Sequence, residues 1–220
     1  SQSGETADTL GAVREVQIKG GQARGVVNVV GSSIARECAS GVYIHSGPEM
    51  AVASTKAFSN MVAALYLFTL QLARARTLAP HEGRAFAEEL MTVPDLVEDY
   101  LAKDIDIDPV VEWIRTCRSV LFLGRGLSAA VAAEGALKLM ELAYVPCLSY
   151  PSGEMKHGPI ALLEEGSPVI VIAPEDEVRD KTLSNLQECR ARGARVALIH
   201  TEGDPIARHA DVSISVPRTS

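Results

Sequence analysis

Short apolar runs alternate with longer stretches of helical periodicity along the 220 residues of the chain. The runs that predict strands are Gly25–Val30, Val42–His45, Ser119–Leu123, Pro168–Ile172 and Arg195–Ile199. Continuous apolar runs of this length are typical of parallel strands that are covered on both faces. The helical patterns occupy about Ala7–Lys19, Ser54–Ala75, Ser128–Ala143 and Glu177–Arg190. This alternation predicts an α/β fold with doubly wound, mostly parallel sheets.

The stretch from Ala79 to Thr116 contains no strand candidate, and it predicts helices that link two sheets. We expect Pro80, Pro94 and Pro109 to start or break these helices, because proline lacks the N–H that a helix interior needs.

The chain contains an internal repeat with a constant offset. Ile34-Ala35-Arg36 recurs as Ile206-Ala207-Arg208, and 206 − 34 = 172. The same offset places the strand candidate at Gly25–Val30 near the one at Arg195–Ile199. A tripeptide match that agrees with the order of strands and helices indicates two copies of one domain.

The two copies differ in what surrounds the repeat. The second copy has strand and helix material in front of it, whereas the first copy continues beyond Pro48, and the second ends at Ser220. We therefore expect a fragment that is truncated at both ends. Residues 1–78 would form a first domain without its N-terminal part, 79–117 a helical linker, and 118–220 a second domain without its C-terminal part.

Composition and charge narrow the possible functions. The chain has 21 Lys and Arg against 28 Asp and Glu, and this net charge of −7 provides no basic field for nucleic acid or for an anionic membrane surface. A phosphate ligand would therefore need local hydroxyls and backbone amides. The four cysteines, at positions 38, 117, 147 and 189, form no CxxC pair and predict reduced thiols in a cytoplasmic protein.

The hydroxyl-rich sequence Ser1-Gln2-Ser3-Gly4-Glu5-Thr6 precedes the first predicted helix. Hydroxyls and backbone N–H groups at a helix N-terminus make a site for an anion. An ordinary N-cap, in which Ser3 or Thr6 accepts bonds from free amides, explains the same residues. In the second copy the equivalent turn, Ala173–Glu177, carries carboxylates that would repel a phosphate. The repeat thus predicts phosphate binding at this turn in one copy only.

The segment Glu49–Phe58 runs from a loop into the next predicted helix. We expect Ser54 or Thr55 to cap this helix. Lys56 falls in the first turn, where the helix dipole disfavours a cation, and this suggests a salt bridge to Glu49. A capped core helix accounts for most of these residues.

A second candidate site lies on the helix that opens after Gly124-Arg125-Gly126. Glu134, Lys138 and Glu141 are spaced i, i+4 and i+7 and share one helix face. They form either a solvated stripe of charges or an ion-pair cluster that is available for chemistry. The apolar residues around them favour little exposure of this helix, and a mostly buried carboxylate and ammonium must pair or act.

The stretch Tyr150–Pro159 is the third candidate, because Gly and Pro bracket a Glu, a Lys and a His. We predict that His157 sits in a turn from which its side chain reaches into a cleft. Histidine titrates near neutral pH and suits general acid–base catalysis.

These motifs together resemble one enzyme family. The sequences SQSGETADT, AVASTKAF, LFLGRG followed by EGALKL, and GEMKHGP occur in this order in the isomerase region of glutamine–fructose-6-phosphate aminotransferases. That region consists of two sugar isomerase (SIS) domains with flavodoxin-like sheets, and the resemblance spans nearly the whole chain. It also accounts for the internal repeat.

The resemblance implies a role for each candidate residue. Ser1, Gln2, Ser3 and Thr6 would hold the sugar phosphate, and the backbone of Val52 would line the sugar site. Glu141 would move a proton between C1 and C2 of the open-chain sugar, with Lys138 assisting at the hydroxyls. His157 of a neighbouring subunit in a homodimer would help to open the sugar ring. Fructose 6-phosphate would become glucosamine 6-phosphate with ammonia from glutamine, without a metal or organic cofactor.

The chain also departs from the family's pattern. The glutaminase domain with its N-terminal cysteine nucleophile, the Cys-Gly-Thr-Ser loop that precedes Ser1, and the tail lysine that forms an imine with the sugar all lie outside the sequence. Met140 stands where a lysine is common, and Ala51 stands where a glycine is common. We therefore expect these 220 residues to be inactive by themselves.

Two alternatives remain open at this point. The first is another two-SIS sugar-phosphate isomerase or deglycase that has no glutaminase domain. The second is a sugar-phosphate-sensing module without catalysis, against which Glu141 and His157 argue, because a sensor needs no proton carrier.

Overall fold

The structure, a computed structural model, describes residues 1–219. It divides into two compact units, one from Ser1 to Val93 and one from Pro94 onwards. The elements of the first unit are α1 (Ala7–Ile18), β1 (Arg24–Val27), α2 (Ser33–Glu37), β2 (Ser40–Tyr43), α3 (Lys56–Arg74) and most of α4 (Pro80–Leu101). Those of the second are α5 (Asp108–Thr116), β3 (Val120–Gly124), α6 (Leu127–Ala143), β4 (Cys147–Pro151), β5 (Pro168–Ala173), α7 (Arg179–Ala191), β6 (Arg195–Thr201) and β7 (Val212–Val216).

The predicted domain limits at residues 78, 79, 117 and 118 stay a prediction, and the predicted end at Ser220 lies outside the described residues. The division into compact units falls instead between Val93 and Pro94, within α4.

The second unit contains a five-stranded sheet in the order β4-β3-β5-β6-β7, in which every neighbouring pair is parallel. This is the flavodoxin-like order, in which ligands bind beyond the carboxyl ends of the strands. The prediction of a doubly wound parallel sheet is therefore confirmed. Two strands of this sheet, β4 and β7, were not predicted from the sequence.

The core of the second unit lies on both faces of this sheet, as continuous apolar strands require. Alternate residues of β3 point to opposite faces. Leu121 and Leu123 join a buried cluster that includes Leu186 of α7, whereas Val120 and Phe122 join a second cluster with the alanines of α6. Burial on both sides fixes the carboxyl ends of β3 and β5 as a rigid edge.

The first unit contains the parallel pair β1 and β2, with Val26 opposite Val42. Ser1 continues this hydrogen-bond pattern, because its backbone nitrogen lies 2.9 Å from Val26 O and its carbonyl accepts from Asn28 N–H at 3.3 Å. Strand β1 ends at Val27, whereas the predicted strand runs on to Val30.

Helices fill the stretch from residue 80 to residue 116 except for a short connection, as predicted. Helix α4 begins at Pro80, and α5 carries Pro109 in its first turn, where the missing N–H costs nothing. The expectation of a start or break at Pro94 is wrong, because α4 continues through it.

Helix α3 is capped by Glu49 rather than by Ser54 or Thr55. The Glu49 carboxylate accepts hydrogen bonds from the Thr55 backbone N–H at 3.0 Å, the Thr55 hydroxyl at 3.1 Å and the Ala57 N–H at 3.3 Å. Chiefly because of the bond from the Thr55 N–H, the pKa of Glu49 lies below its ordinary value. The predicted salt bridge to Lys56 is absent among the described residues, since this carboxylate serves the helix N-terminus instead.

Candidate functional site

The segment Ser1–Thr6, the hydroxyl loop, folds into a compact turn before α1. The Ser1 and Thr6 hydroxyl oxygens lie 3.2 Å apart, Gly4 N–H donates to Ser1 Oγ at 3.1 Å, and Glu5 N–H donates to Ser3 Oγ at 3.2 Å. Gly4 has a φ of +70°, a conformation that suits glycine. The turn thus gathers three hydroxyls at one helix end.

The amides at the start of α1 remain free. Thr6 is the N-cap residue, but its side chain makes no capping hydrogen bond. Within residues 1–219 the backbone N–H groups of Ala7, Asp8 and Thr9 have no hydrogen-bond partner. A hydroxyl cap at Thr6 is therefore absent, although Ser3, the other residue of that alternative, accepts from the Glu5 N–H at 3.2 Å. Free N–H groups at a helix N-terminus favour an anion.

The carboxylate of the hydroxyl loop is occupied elsewhere. Glu5 Oε1 accepts from the Ser33 backbone N–H at 2.8 Å, at the start of α2. The Ser33 side chain and then its backbone N–H hold the pKa of Glu5 below its ordinary value. This negative charge is thus tied to the N-terminus of a different helix.

Gln2 and Val52 are placed differently in the first unit. Gln2 lines an open cavity of about 630 Å³ together with residues 28–29, 45 and 47–49. Val52 does not line this cavity, and 90% of its surface is exposed, so its backbone is accessible to a ligand.

Helix α6 places Lys138 between two carboxylates. Its Nζ lies 2.8 Å from Glu141 Oε2 and 3.4 Å from Glu134 Oε1. The side chains of Lys138, Glu134 and Glu141 are 22%, 25% and 34% exposed, so they form a partly buried ion-pair cluster rather than a solvated stripe. The hydrogen bond to Glu141 is the main reason that the pKa of Lys138 lies above its ordinary value. A cation therefore stays beside Glu141 at neutral pH.

The start of α6 follows the carboxyl end of β3 closely. A side chain at Gly124 would have its Cβ 2.2 Å from Ser128 O, so glycine permits the tight passage from strand to helix. The sharp turn sets the start of α6 at the edge of the sheet where flavodoxin-like folds bind ligands. The cluster lies further along α6, with Glu141 in the last turn of the helix.

The segment that carries His157 is a short 3-10 helix, Ser152–His157, rather than an irregular turn. It follows β4 and is held by buried contacts. The Ser152 hydroxyl donates to Gly124 O at 3.0 Å, and the fully buried Met155 packs against Cys189 of α7 with 3.1 Å between the sulfur atoms. The segment is thereby fixed to the carboxyl end of β3 and to α7.

An ion pair adds a further anchor next to His157. Lys156 Nζ lies 2.8 Å from Glu188 Oε1 on α7. His157 itself is exposed and makes no hydrogen bond or ion pair within the described residues. A rigid segment thus presents a free imidazole at the surface of the second unit.

The structure brings the site residues into two groups. The hydroxyls of Ser1 and Thr6 meet in the first unit, where Ser3 bonds to the Glu5 N–H, and Lys138 and Glu141 meet in the second. Sequence reasoning missed Ser32, a buried residue whose hydroxyl lies against the hydroxyl loop. It also missed an ion pair between Arg179 and Asp204. The offset of the repeat pairs Ser32 with Asp204, so comparing the two copies would have drawn attention to both positions.

Residues 1–219 contain neither a side-chain cluster that suits a metal ion nor a helix that suits a membrane crossing. No group of three or more His, Cys, Asp or Glu side chains gathers there in a way that suits a metal ion. None of the helices there combines the length and the apolar character that crossing a membrane requires.

Comparison with known proteins places this geometry in a family. The SIS domain model matches residues 1–71 and 113–219. Glutamine–fructose-6-phosphate aminotransferase (isomerizing) of Thermus thermophilus is 48% identical over 219 residues, which cover 99% of this chain and 36% of that protein. The corresponding enzyme of Chlorobaculum tepidum is 47% identical over 221 residues, with 36% of its length covered. The chain thus spans about a third of the length of these relatives.

A solved structure agrees with the sequence comparison. The C-terminal domain of glucosamine-fructose-6-phosphate aminotransferase from Francisella tularensis superimposes with a TM-score of 0.93 at 38% identity, over 100% of this chain and 63% of that one. The family model matches two separate regions, which agrees with the two-copy sequence pattern. The chain therefore belongs to the SIS domain family.

Proposed function

We propose that the chain is the sugar-phosphate isomerase part of an enzyme that converts fructose 6-phosphate to glucosamine 6-phosphate with ammonia from glutamine. The observation that carries the proposal is the hydroxyl loop, which brings three hydroxyl residues directly before the uncapped start of α1. Such an arrangement suits a phosphate ester without any basic side chain. The relatives named above support the choice of reaction.

In this proposal Ser1, Gln2, Ser3 and Thr6 bind the phosphate group. Hydroxyls and free N–H groups donate to its oxygens, and the helix dipole favours its charge. Val52 lines the sugar through its exposed backbone.

We assign the proton transfer between C1 and C2 to Glu141. Ammonia first adds to the C2 carbonyl of the open-chain sugar, whose oxygen leaves as water, so that C2 carries an imine. The Glu141 carboxylate then takes a proton from C1, the C1–H electron pair forms a C1=C2 double bond, and the electron pair of the C=N double bond moves to nitrogen, which gains a proton. The same carboxyl group returns its proton to C2 while the C1 hydroxyl loses a proton and becomes the aldehyde. Lys138, 2.8 Å away, places a positive charge beside Glu141 and assists at the sugar hydroxyls.

Ring opening is a separate step, because it moves protons at oxygen rather than at carbon. We assign it to His157, which reaches the active site of the neighbouring subunit in a homodimer. The exposure of His157 on an anchored segment supports this assignment. A cytoplasmic location completes the proposal, and the four free cysteines agree with it.

The test uses the intact protein with fructose 6-phosphate and glutamine labelled with ¹⁵N in its amide. The proposal expects glucosamine 6-phosphate that carries the label, detected by mass spectrometry. An unlabelled aldose phosphate as the product would identify a two-SIS isomerase without amino transfer. Binding without any product would identify a sensing module.

A further inference from the structure

The Ser32 hydroxyl is buried against the hydroxyl loop without a hydrogen bond. Ser32 is 4% exposed, and its Oγ has no partner within the described residues. A Cβ at Gly4 would lie only 2.0 Å from this oxygen, so the hydroxyl fills the space where a side chain at Gly4 would be. It therefore points at the loop backbone from the protein interior.

The Ser32 hydroxyl makes no capping hydrogen bond to α2. Ser32 precedes α2, and an N-cap hydroxyl there would accept from the first free amides of that helix. Gly4 O already accepts from the Ile34 N–H at 2.9 Å, and the Glu5 carboxylate accepts from the Ser33 N–H at 2.8 Å. A buried hydroxyl that is left without a partner destabilises the folded state.

The equivalent position in the second unit is used through one of its two carboxylate oxygens, whereas Asp204 Oδ2 has no partner within the described residues. The repeat aligns Asp204 with Ser32, and Asp204 Oδ1 accepts from Arg179 Nη1 at 2.6 Å and from the Ile206 N–H at 2.9 Å. There the side chain caps the following 3-10 helix, Pro205–His209, and neutralises a cation at the start of α7. In the first unit a neutral hydroxyl without a partner occupies the same place, beside the loop that precedes the free amides of α1.

The hydrogen bonds within the hydroxyl loop suggest a role for the unpaired Ser32 hydroxyl. Gly4 N–H and Glu5 N–H are held by the hydroxyls of Ser1 and Ser3. A hydroxyl can donate to a phosphate and still accept from an N–H group, but when Ser1 or Ser3 rotates away from its amide on binding, that N–H group needs another acceptor. Ser32 Oγ, in contact with Gly4, is placed to accept from one of these N–H groups.

We propose that Ser32 is a positioning residue of the sugar-phosphate site, whose hydroxyl gains its hydrogen bond only when a phosphate ester draws the hydroxyl loop around itself. The inference rests on the proposed function, because it needs the loop to bind phosphate. Strain in the ligand-free state is then released on binding, which adds to affinity.

The test measures stability and affinity for the same variant of the intact protein. Ser32→Ala removes the unsatisfied oxygen, so the ligand-free melting temperature should rise or stay unchanged. The dissociation constant for fructose 6-phosphate, measured by titration calorimetry, should rise about 3- to 10-fold, which corresponds to one lost hydrogen bond. Ser32→Cys, of similar size but with a weak acceptor, should behave like Ser32→Ala.

A purely structural serine gives the opposite pattern. A lower ligand-free melting temperature for Ser32→Ala, or an unchanged affinity, would overturn the inference. The double variant Ser3→Ala, Thr6→Ala separates this failure from failure of the proposed function. If the double variant weakens binding and Ser32→Ala does not, only the inference about Ser32 fails; if neither weakens it, the loop is not the phosphate site.

Discussion

The two halves of the chain share one framework but differ at a single turn. When the halves are aligned by the repeat, α1 falls on α7, β1 falls within β6, α2 falls on the 3-10 helix Pro205–His209, and β2 falls within β7. In the first half the turn before the helix presents hydroxyls and free amides. In the second half the turn is closed by bonds of its own: Glu175 N–H donates to the Thr201 hydroxyl at 2.9 Å, and the Glu175 carboxylate pairs with Arg218.

This difference shows that the parallel framework alone does not make a ligand site. The carboxyl end of a strand and the N-terminus of a helix occur in both halves, and so does the helix dipole. What changes is whether the polar groups at the turn are satisfied by the protein itself. Substitutions that exchange or remove those polar groups test this difference.

The largest effect is expected when the first turn is made like the second. Ser3 corresponds to Glu175, so Ser3→Glu in the intact protein places a carboxylate where we expect a phosphate. Repulsion between two charges about 4 Å apart should raise the dissociation constant for fructose 6-phosphate by about 100-fold or more. Ala12→Glu adds the same charge on the exposed side of α1 and should leave binding nearly unchanged. Equal affinities for the two variants, measured by titration calorimetry, would refute the phosphate assignment.

A smaller effect is expected when the second half loses the ion pair between Asp204 and Arg179, the first residue of α7. Asp204→Asn leaves Arg179 facing a neutral group, and it should lower the free energy of unfolding by about 2–3 kcal/mol. Asp180→Asn is the control. Asp180 is the other partner of Arg179, but its side chain is 85% exposed. This variant should therefore lower the free energy of unfolding by less than about 1 kcal/mol. Urea denaturation measures both values.

This stabilisation should depend on pH in one direction. Burial opposes ionisation of Asp204, but the bonds from Arg179 and the Ile206 N–H outweigh it and hold the pKa of Asp204 below its ordinary value. Its contribution is therefore complete above the ordinary pKa of about 3.9 and is lost as the pH falls through the lower folded-state pKa. The difference between wild type and Asp204→Asn should shrink below about pH 4. A constant difference down to about pH 2 would contradict the ion-pair account.

The smallest effect is expected at the anchor of His157. Glu188→Gln removes the partner of Lys156, and an exposed pair contributes only about 0.2–1 kcal/mol, so turnover of the cyclic sugar should fall by about 1.5- to 5-fold. The exposed Glu177→Gln, with the same charge change, should not affect turnover. The swap Lys156→Glu, Glu188→Lys should restore it. An equal fall in turnover for Glu177→Gln would show that the ion pair between Lys156 and Glu188 has no specific role.

The apolar pattern predicted the buried elements well and the edges poorly. The central strands β3, β5 and β6 are continuous apolar runs because both of their faces are covered. Strand β7 reads Val-Ser-Ile-Ser-Val, an alternation that comes from partial exposure at the edge of the sheet and that was overlooked. Strand β4, with a serine, a tyrosine and a proline, lacks a β-branched run altogether.

The site was predictable where its chemistry is local in the sequence. The hydroxyl loop and the Lys138–Glu141 pair each lie within one turn of chain, so their spacing alone indicated contact. Ser32 instead contacts Gly4, and Lys156 pairs with Glu188, so both act on partners that are distant in the sequence. Such contacts depend on tertiary packing, which periodicity does not encode.

The most direct test of the proposed isomerase chemistry is proton exchange at C1 of the sugar. The intact protein is incubated with fructose 6-phosphate in deuterated water, and NMR follows the loss of the C1 proton for wild type, Glu141→Gln and Glu134→Gln. Both variants lose a carboxylate beside Lys138, but we assign proton transfer only to Glu141. We predict that Glu141→Gln slows exchange by at least about 100-fold, whereas Glu134→Gln stays within about 10-fold of wild type. Exchange at the wild-type rate in Glu141→Gln would contradict the assignment and leave the cluster on α6 a structural feature.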